Sequence, residues 1–273
     1  MKQLVIIAFI TGLIFFSACN GGGGESSYID SGVAKLATPT IAYTILAQYP
    51  HDTGAYTQGL QLYNGKLYEG TGDFINSSLR ITDIKTGKVE KKHMIGTDSI
   101  FGEGITIFKG KLYQLTWQSN IVYVYDINNI EKPIKTFKWP YEGWGITNNG
   151  TDLIISDGSA NLYFVNPDDF KVKSTIVVTD NSTAPIPELN ELEYIDGFVY
   201  ANVYQSDYIV KVDPSSGHVM GKIFFTGFPE QYFSNRIIPG RTDVLNGIAW
   251  DSTSKKMYIT GKRWPMLFEI NLN

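Results

Sequence analysis

A chain of 273 residues can make one large domain or two smaller ones, and its net charge of −4, without a basic block or stripe, excludes a nucleic-acid binder. Aromatic residues at 14%, 27 glycines and many short Val/Ile/Tyr runs point to an all-β protein. One cysteine, Cys19, leaves no disulfide framework to hold the fold.

The first element in chain order is a targeting segment over residues 1–19. Lys2 supplies a small positive region, residues 4–16 an apolar run, and Phe16-Ser17-Ala18-Cys19 a cleavage region. The run is short for a permanent membrane span. Cys19 follows two small residues and precedes Asn20 and four glycines, which resembles the lipobox of bacterial lipoproteins. That resemblance implies lipidation of Cys19, export, and a membrane-anchored chain facing the periplasm or cell exterior. Residues 20–39 read as a flexible tether, and the folded domain is expected over 40–273.

Five repeats follow. They open at Gln58-Gly59-Leu60, Glu103-Gly104-Ile105, Trp144-Gly145-Ile146, Asn190-Glu191-Leu192 and Asn246-Gly247-Ile248, with successive starts 45, 41, 46 and 56 residues apart. That is the period of propeller blades. Each unit reads as a strand, a tight turn and a second strand. The pairs Asn64-Gly65, Lys109-Gly110, Asn149-Gly150 and Asp196-Gly197 supply residues that tolerate positive φ. Third strands are predicted over 78–84, 121–127, 161–165, 208–212 and 266–270, and a fourth completes units one to four. The fifth unit ends after its third strand, and a spare strand over 41–47 is expected to complete it, closing the ring. No helix is predicted. Long insertions over 179–188 and 226–244, the latter with Phe228, Tyr232 and Phe233, are expected to wall a pocket. The expected architecture is a five-bladed β-propeller.

First strands of a propeller line its channel, so Gln58, Glu103, Trp144, Asn190 and Asn246 should converge at one end. A packing repeat would reuse one residue type there; these five differ, as a binding site requires. Trp117, Tyr204 and Lys262 fall at corresponding places on second strands. Glu103 lies between two glycines at the mouth of a buried strand, where burial raises a carboxyl toward neutrality. The three histidines, His51, His93 and His218, lie in different units without ligand spacing, so no metal or cofactor is expected. No Ser or Cys sits in a nucleophile elbow with a plausible His partner.

The motifs Tyr56-Thr57-Gln58-Gly59-Leu60, Phe101-Gly102-Glu103-Gly104, Leu115-Thr116-Trp117, Glu142-Gly143-Trp144-Gly145, Leu189-Asn190-Glu191-Leu192, Leu245-Asn246-Gly247-Ile248 and Gly261-Lys262-Arg263-Trp264-Pro265 stand in order at blade spacing. From about residue 41 to the C-terminus the chain resembles the glutamine cyclotransferase family, the plant and bacterial type of glutaminyl-peptide cyclotransferase. The resemblance implies conversion of an N-terminal glutamine of peptides or proteins to pyroglutamate with release of ammonia. It makes Glu103 the proton shuttle and Gln58, Asn190 and Lys262 the groups that bind substrate and polarise the amide. Tyr56, Phe101, Trp117, Trp144 and Tyr204 become an aromatic wall; Tyr204 stands where the family pattern has Trp, and Tyr56 where it has Phe. A monomer is expected, touching a membrane only through its lipid. Two other readings stay open on the residues alone: a metal-dependent lactonase-like propeller hydrolase, and a non-catalytic surface propeller that binds a peptide or glycan.

Overall fold

The computed structural model describes residues 37–273. The expected signal segment with Cys19, and the tether up to residue 36, lie outside the described residues.

The described chain begins with a bridge from Thr40 to Lys222 and then β1 (Tyr43–Pro50). Blade one is β2 (Thr57–Tyr63), β3 (Lys66–Thr71), β4 (Ser78–Thr82) and β5 (Val89–Met94). Blade two is β6 (Gly102–Phe108), β7 (Lys111–Thr116), β8 (Ile121–Asp126) and β9 (Lys135–Lys138). Blade three is β10 (Ile146–Asn148), β11 (Leu153–Ser156), β12 (Asn161–Val165) and β13 (Val172–Val177). Blade four is β14 (Leu189–Ile195), β15 (Phe198–Val203), β16 (Tyr208–Val212) and β17 (Val219–Phe224). A short helix, α1 (Phe228–Phe233), precedes blade five, which is β18 (Leu245–Asp251), β19 (Lys256–Gly261) and β20 (Met266–Leu272). Each blade is a four-stranded antiparallel sheet, and the five repeats of the sequence are its five blades. In the fifth, β1 is the outer strand, pairing from Tyr43 opposite Leu272 to Pro50 opposite Met266. The strand predicted over 41–47 thus runs two residues later at its start and three at its end.

Burial grades outward along every blade. β6 is buried throughout, whereas β5 and β13 are mostly exposed. Inner strands are covered on both faces by neighbouring blades, so their polar residues are buried along with the apolar ones. Outer strands carry lysines (Lys91, Lys92, Lys135, Lys138), which discourage pairing with another sheet edge.

An inner strand pairs with its blade on one side only. Its backbone groups facing the axis therefore need partners from another blade. Side chains supply them. Glu191 Oε1 accepts the Leu60 N–H at 3.1 Å and its Oε2 the Ile248 N–H at 2.8 Å, tying blades one, four and five. Glu193 accepts the Trp250 N–H, Thr147 the Tyr194 N–H, and Gln61 the Ile107 N–H. The glycine after each of the first three site positions is a matter of space. A Cβ on Gly59, Gly104 or Gly145 would sit 2.0–2.7 Å from backbone of the next blade.

Three hairpins use the two-residue turns read from the sequence. Asn64/Gly65, Lys109/Gly110 and Asp196/Gly197 have φ of 49/73, 48/74 and 45/92°. Asn149-Gly150 differs: Gly150 alone has positive φ, and Asn149 Oδ1 caps the N–H groups of Thr151 and Asp152 in a wider turn. The Asn-Gly pair stands one residue earlier here than in the other units, so polar residues Asn149 to Asp152 make up the turn and β10 keeps three residues.

The helix was not predicted. Gly227 in the left-handed region, Pro229 in the first turn and Glu230 near the N-terminus start α1, and six residues are too few to show a 3.6 period. Its buried aromatics also correct the expectation for the 226–244 insertion. Phe228 and Phe233 turn into the core against Phe225, Trp264 and Phe268, and neither they nor Tyr232 line the central cavity.

Candidate active site

Inner strands start, and second strands end, at one face of the propeller, because consecutive strands are antiparallel. The repeat positions Gln58, Glu103 and Asn190 therefore meet Trp117, Tyr204 and Lys262, which immediately follow β7, β15 and β19. Together with Tyr56, Phe101 and Trp144 these nine residues line one cavity of about 240 Å³. That is below the usual range for drug-sized ligands and suits a single side chain.

Glu103 is 5% exposed. Gln58 Nε2 donates to its Oε1 at 3.2 Å. Asn246 fixes which way that amide points, since its Nδ2 donates to Gln58 Oε1 at 3.2 Å and to the Thr57 carbonyl at 2.9 Å. The Gln58 oxygen is thereby engaged and its NH₂ faces the acid. Burial pushes the Glu103 carboxyl well above the usual carboxylate range; the Lys262 charge pulls it back, and the Glu142 charge adds to the rise. Glu103 is thus held protonated beyond the pH at which an exposed glutamate ionises.

Lys262 is buried, and burial lowers its ammonium below the ordinary lysine value against the pull of Glu103 and then Asp243. Its Nζ lies 4.5 Å from the Tyr204 ring centroid and 4.9 Å from that of Tyr56, within cation–π range. The Tyr56 hydroxyl donates to Asp243 at 2.9 Å, and burial first, then that carboxylate, raises the phenol far above its usual value. Tyr56 thus stays neutral and keeps its face toward Lys262.

Edge-to-face contacts build the wall: Tyr56–Phe101 at 6.0 Å, Phe101–Trp117 at 5.9 Å and Trp144–Tyr204 at 5.6 Å between centroids. The two indoles are held by a single oxygen. Glu142 Oε2 accepts Trp117 Nε1–H at 2.7 Å and Trp144 Nε1–H at 2.9 Å. Asn190 Oδ1 is buried without a hydrogen-bond partner, which marks a place for a donor on a ligand.

Sequence reasoning missed two supports and left a third without a role. Glu142 had a signal, standing two residues before Trp144 in a recognised motif. Asp243 had none, since the loop that carries it has no counterpart in other repeats. Asn246 was grouped by the repeat with the converging positions, but its grip on Gln58 could not be read there. Among the described residues, no three His, Cys, Asp or Glu side chains are grouped as a metal ion would need. A neutral acid bonded to an amide, a buried cation nearby and aromatic walls make a site for proton transfer at a small polar group taken out of water.

A family model described as glutamine cyclotransferase matches residues 24–272. The chain is 37% identical over 276 residues to a glutaminyl-peptide cyclotransferase of Arabidopsis thaliana, with 99% of this chain and 83% of that protein covered. The crystal structure of Myxococcus xanthus glutaminyl cyclase superposes with a TM-score of 0.79 at 32% identity, over 86% of this chain and 98% of that one.

Proposed function

The chain belongs to the glutamine cyclotransferase family and is a glutaminyl-peptide cyclotransferase, and from that premise we propose which groups of the cavity carry the reaction. The substrate is a peptide with N-terminal glutamine. Its α-amine attacks the carbon of its own side-chain amide, a C–N bond forms, and the bond to the amide nitrogen breaks. One proton must travel from the attacking nitrogen to the leaving one, which departs as ammonia. No external nucleophile is involved, so holding the side chain folded back toward the amine is much of the catalysis.

Glu103 carries that proton. In its neutral form it donates to the leaving nitrogen, and as carboxylate it recovers a proton from the nitrogen that attacked, ending as it began. Gln58 orients Glu103 through the 3.2 Å hydrogen bond, itself steadied by Asn246. Lys262 opposes the negative charge that develops on the amide oxygen, and its buried setting strengthens the effect. The unpartnered Asn190 Oδ1 accepts an N–H of the substrate. The aromatic wall excludes water from the amine, which must be unprotonated to attack.

The burial of Glu103 beside the Gln58 amide, in a cavity sized for one side chain, carries this assignment. It is tested by ammonia release from a short Gln-initiated peptide, with and without chelator, for wild type and Glu103→Gln. Release that survives chelator and falls by about 10²–10⁴-fold in a variant of unchanged melting temperature is expected. Undiminished turnover by the variant would remove Glu103 from the chemistry.

Residues 1–24 support a finer reading of where the protein works: lipidation at Cys19, which holds the chain on a membrane facing the periplasm or cell exterior. Among the described residues no helix is long and apolar enough to cross a membrane. Cys19→Ala is expected to move the protein from the membrane fraction to the soluble one; persistence with the membrane would argue against the anchor.

A further inference from the structure

Beside the cavity lies a second cleft, of about 530 Å³, lined chiefly by Phe74, Ile100, Ile121 and Gln118. Phe101 and Trp117 line both spaces. We propose that this cleft is the subsite for the side chain of the peptide's second residue and that it takes an apolar one. The inference rests on the cyclotransfer reading, which puts the N-terminal glutamine in the cavity.

Reach is the first argument. Consecutive Cα atoms are about 3.8 Å apart, so the second side chain of a peptide must fall against whatever borders the glutamine pocket. The shared pair, Phe101 and Trp117, has centroids 5.9 Å apart. Both rings line both spaces, so a residue bonded to the glutamine meets the pair that cavity and cleft share.

Construction is the second. Phe74 sits on a single 3₁₀ turn, Phe74–Asn76, that buries none of its residues. Both Asp73 (φ 84°) and Phe74 (φ 43°) are in the left-handed region, which strains a non-glycine residue. The turn is nevertheless fixed from both sides. Arg263 Nη2 holds Asp73 at 2.7 Å, and Gly96 packs so closely that a Cβ there would lie 1.8 Å from the Phe74 carbonyl. The strained turn leaves Phe74 41% exposed, edge-on to Phe101 at 5.1 Å. An apolar ring held at the rim by strain serves no core; it offers a face to something that docks.

Chemistry is the third. No residue lining the cleft is charged; the polar ones are Ser99, Gln118 and Ser119. An aliphatic or aromatic side chain displaces water from Phe74, Ile100 and Ile121, whereas a charged one finds no partner among them.

The test compares kcat/KM for peptides that differ only in the second residue: Gln-Gly, Gln-Leu, Gln-Phe, Gln-Asp and Gln-Lys. Wild type is expected to favour Leu and Phe over Gly by about tenfold or more. Phe74→Ala should remove most of that preference and leave Gln-Gly turnover unchanged. Phe74→Glu should raise Gln-Lys above Gln-Leu, a gain that damage to the fold could not produce. Turnover by wild type without an apolar preference, or a preference that survives both substitutions, would overturn the subsite alone. No turnover of any Gln-initiated peptide by wild type would overturn the cyclotransfer reading and the subsite with it.

Discussion

Glu142 contributes to the site without lining the cavity. Burial acts to raise its carboxyl, but hydrogen bonds from Gln118, Trp144 and Trp117 together hold it below its ordinary value, so it is ionised at neutral pH. The ionised group fixes both indoles, and its charge opposes ionisation of Glu103. Glu142→Gln keeps one acceptor oxygen and removes the charge. It is expected to lower kcat/KM by about tenfold, mainly through KM, as the rings lose their common anchor. Glu103 would also ionise more readily, and since the protonated form is the donor, the basic limb of the pH–rate profile should move to lower pH. A limb that stays in place would confine Glu142 to holding the rings. The contrast with Asp243 shows what a sequence can disclose at this scale. Gln58, Glu103 and Asn190 were legible because repeats put different residues at one structural position. Asp243 sits in a loop without an equivalent, and its bond to Tyr56 spans 187 positions of chain.

Elements were legible to the degree that local chemistry decides them. Asn64-Gly65 and Asp196-Gly197 dictate two-residue turns wherever the flanking strands end, since both residues accept positive φ. The strands they join alternate or run apolar as their place in a blade requires. Helix α1 obeys a different authority. Its six residues carry no period, and it forms because Phe228 and Phe233 find a site against Phe268 and Trp264 that only the assembled fifth blade offers. The insertion was therefore visible and its destination was not. Trp264 stands two residues after Lys262, so the same packing backs the turn that presents the cation. Phe228→Ala removes a ring only 2% exposed, and a loss of about 3–5 kcal/mol in unfolding free energy is expected from urea titration. A loss under about 1 kcal/mol would mean that the helix merely rests on the blade.

The whole molecule faces one problem that the site exploits: a ring of blades leaves inner-strand N–H groups buried at its axis. Carboxyl side chains answer it. Glu191 takes two such N–H groups and Glu193 one, and both are buried. Burial raises Glu191 well above the usual range, with the Glu193 charge adding to it, and raises Glu193 to about 8 against the pull of the Trp250 and Thr147 hydrogen bonds. In the unfolded chain each ionises near the ordinary value of 4.5. Between that value and about 8 the folded protein keeps a proton at Glu193 that the unfolded chain has released, so stability falls as pH rises across the interval. Below it both states are protonated and the group contributes nothing; above it both are ionised and the penalty is constant. Glu193→Gln keeps an oxygen for the Trp250 N–H and cannot ionise. Urea unfolding at pH 5 and pH 8 should therefore show a smaller drop for Glu193→Gln than for wild type, by on the order of 2–4 kcal/mol. Equal drops would mean that Glu193 is already ionised in the fold, its charge balanced by the Trp250 N–H and the Thr147 hydroxyl. The expected result would put Glu193 under the same physics as Glu103. A propeller axis that keeps carboxyl groups protonated to join its blades also keeps one protonated at its mouth, where the proton is the reagent.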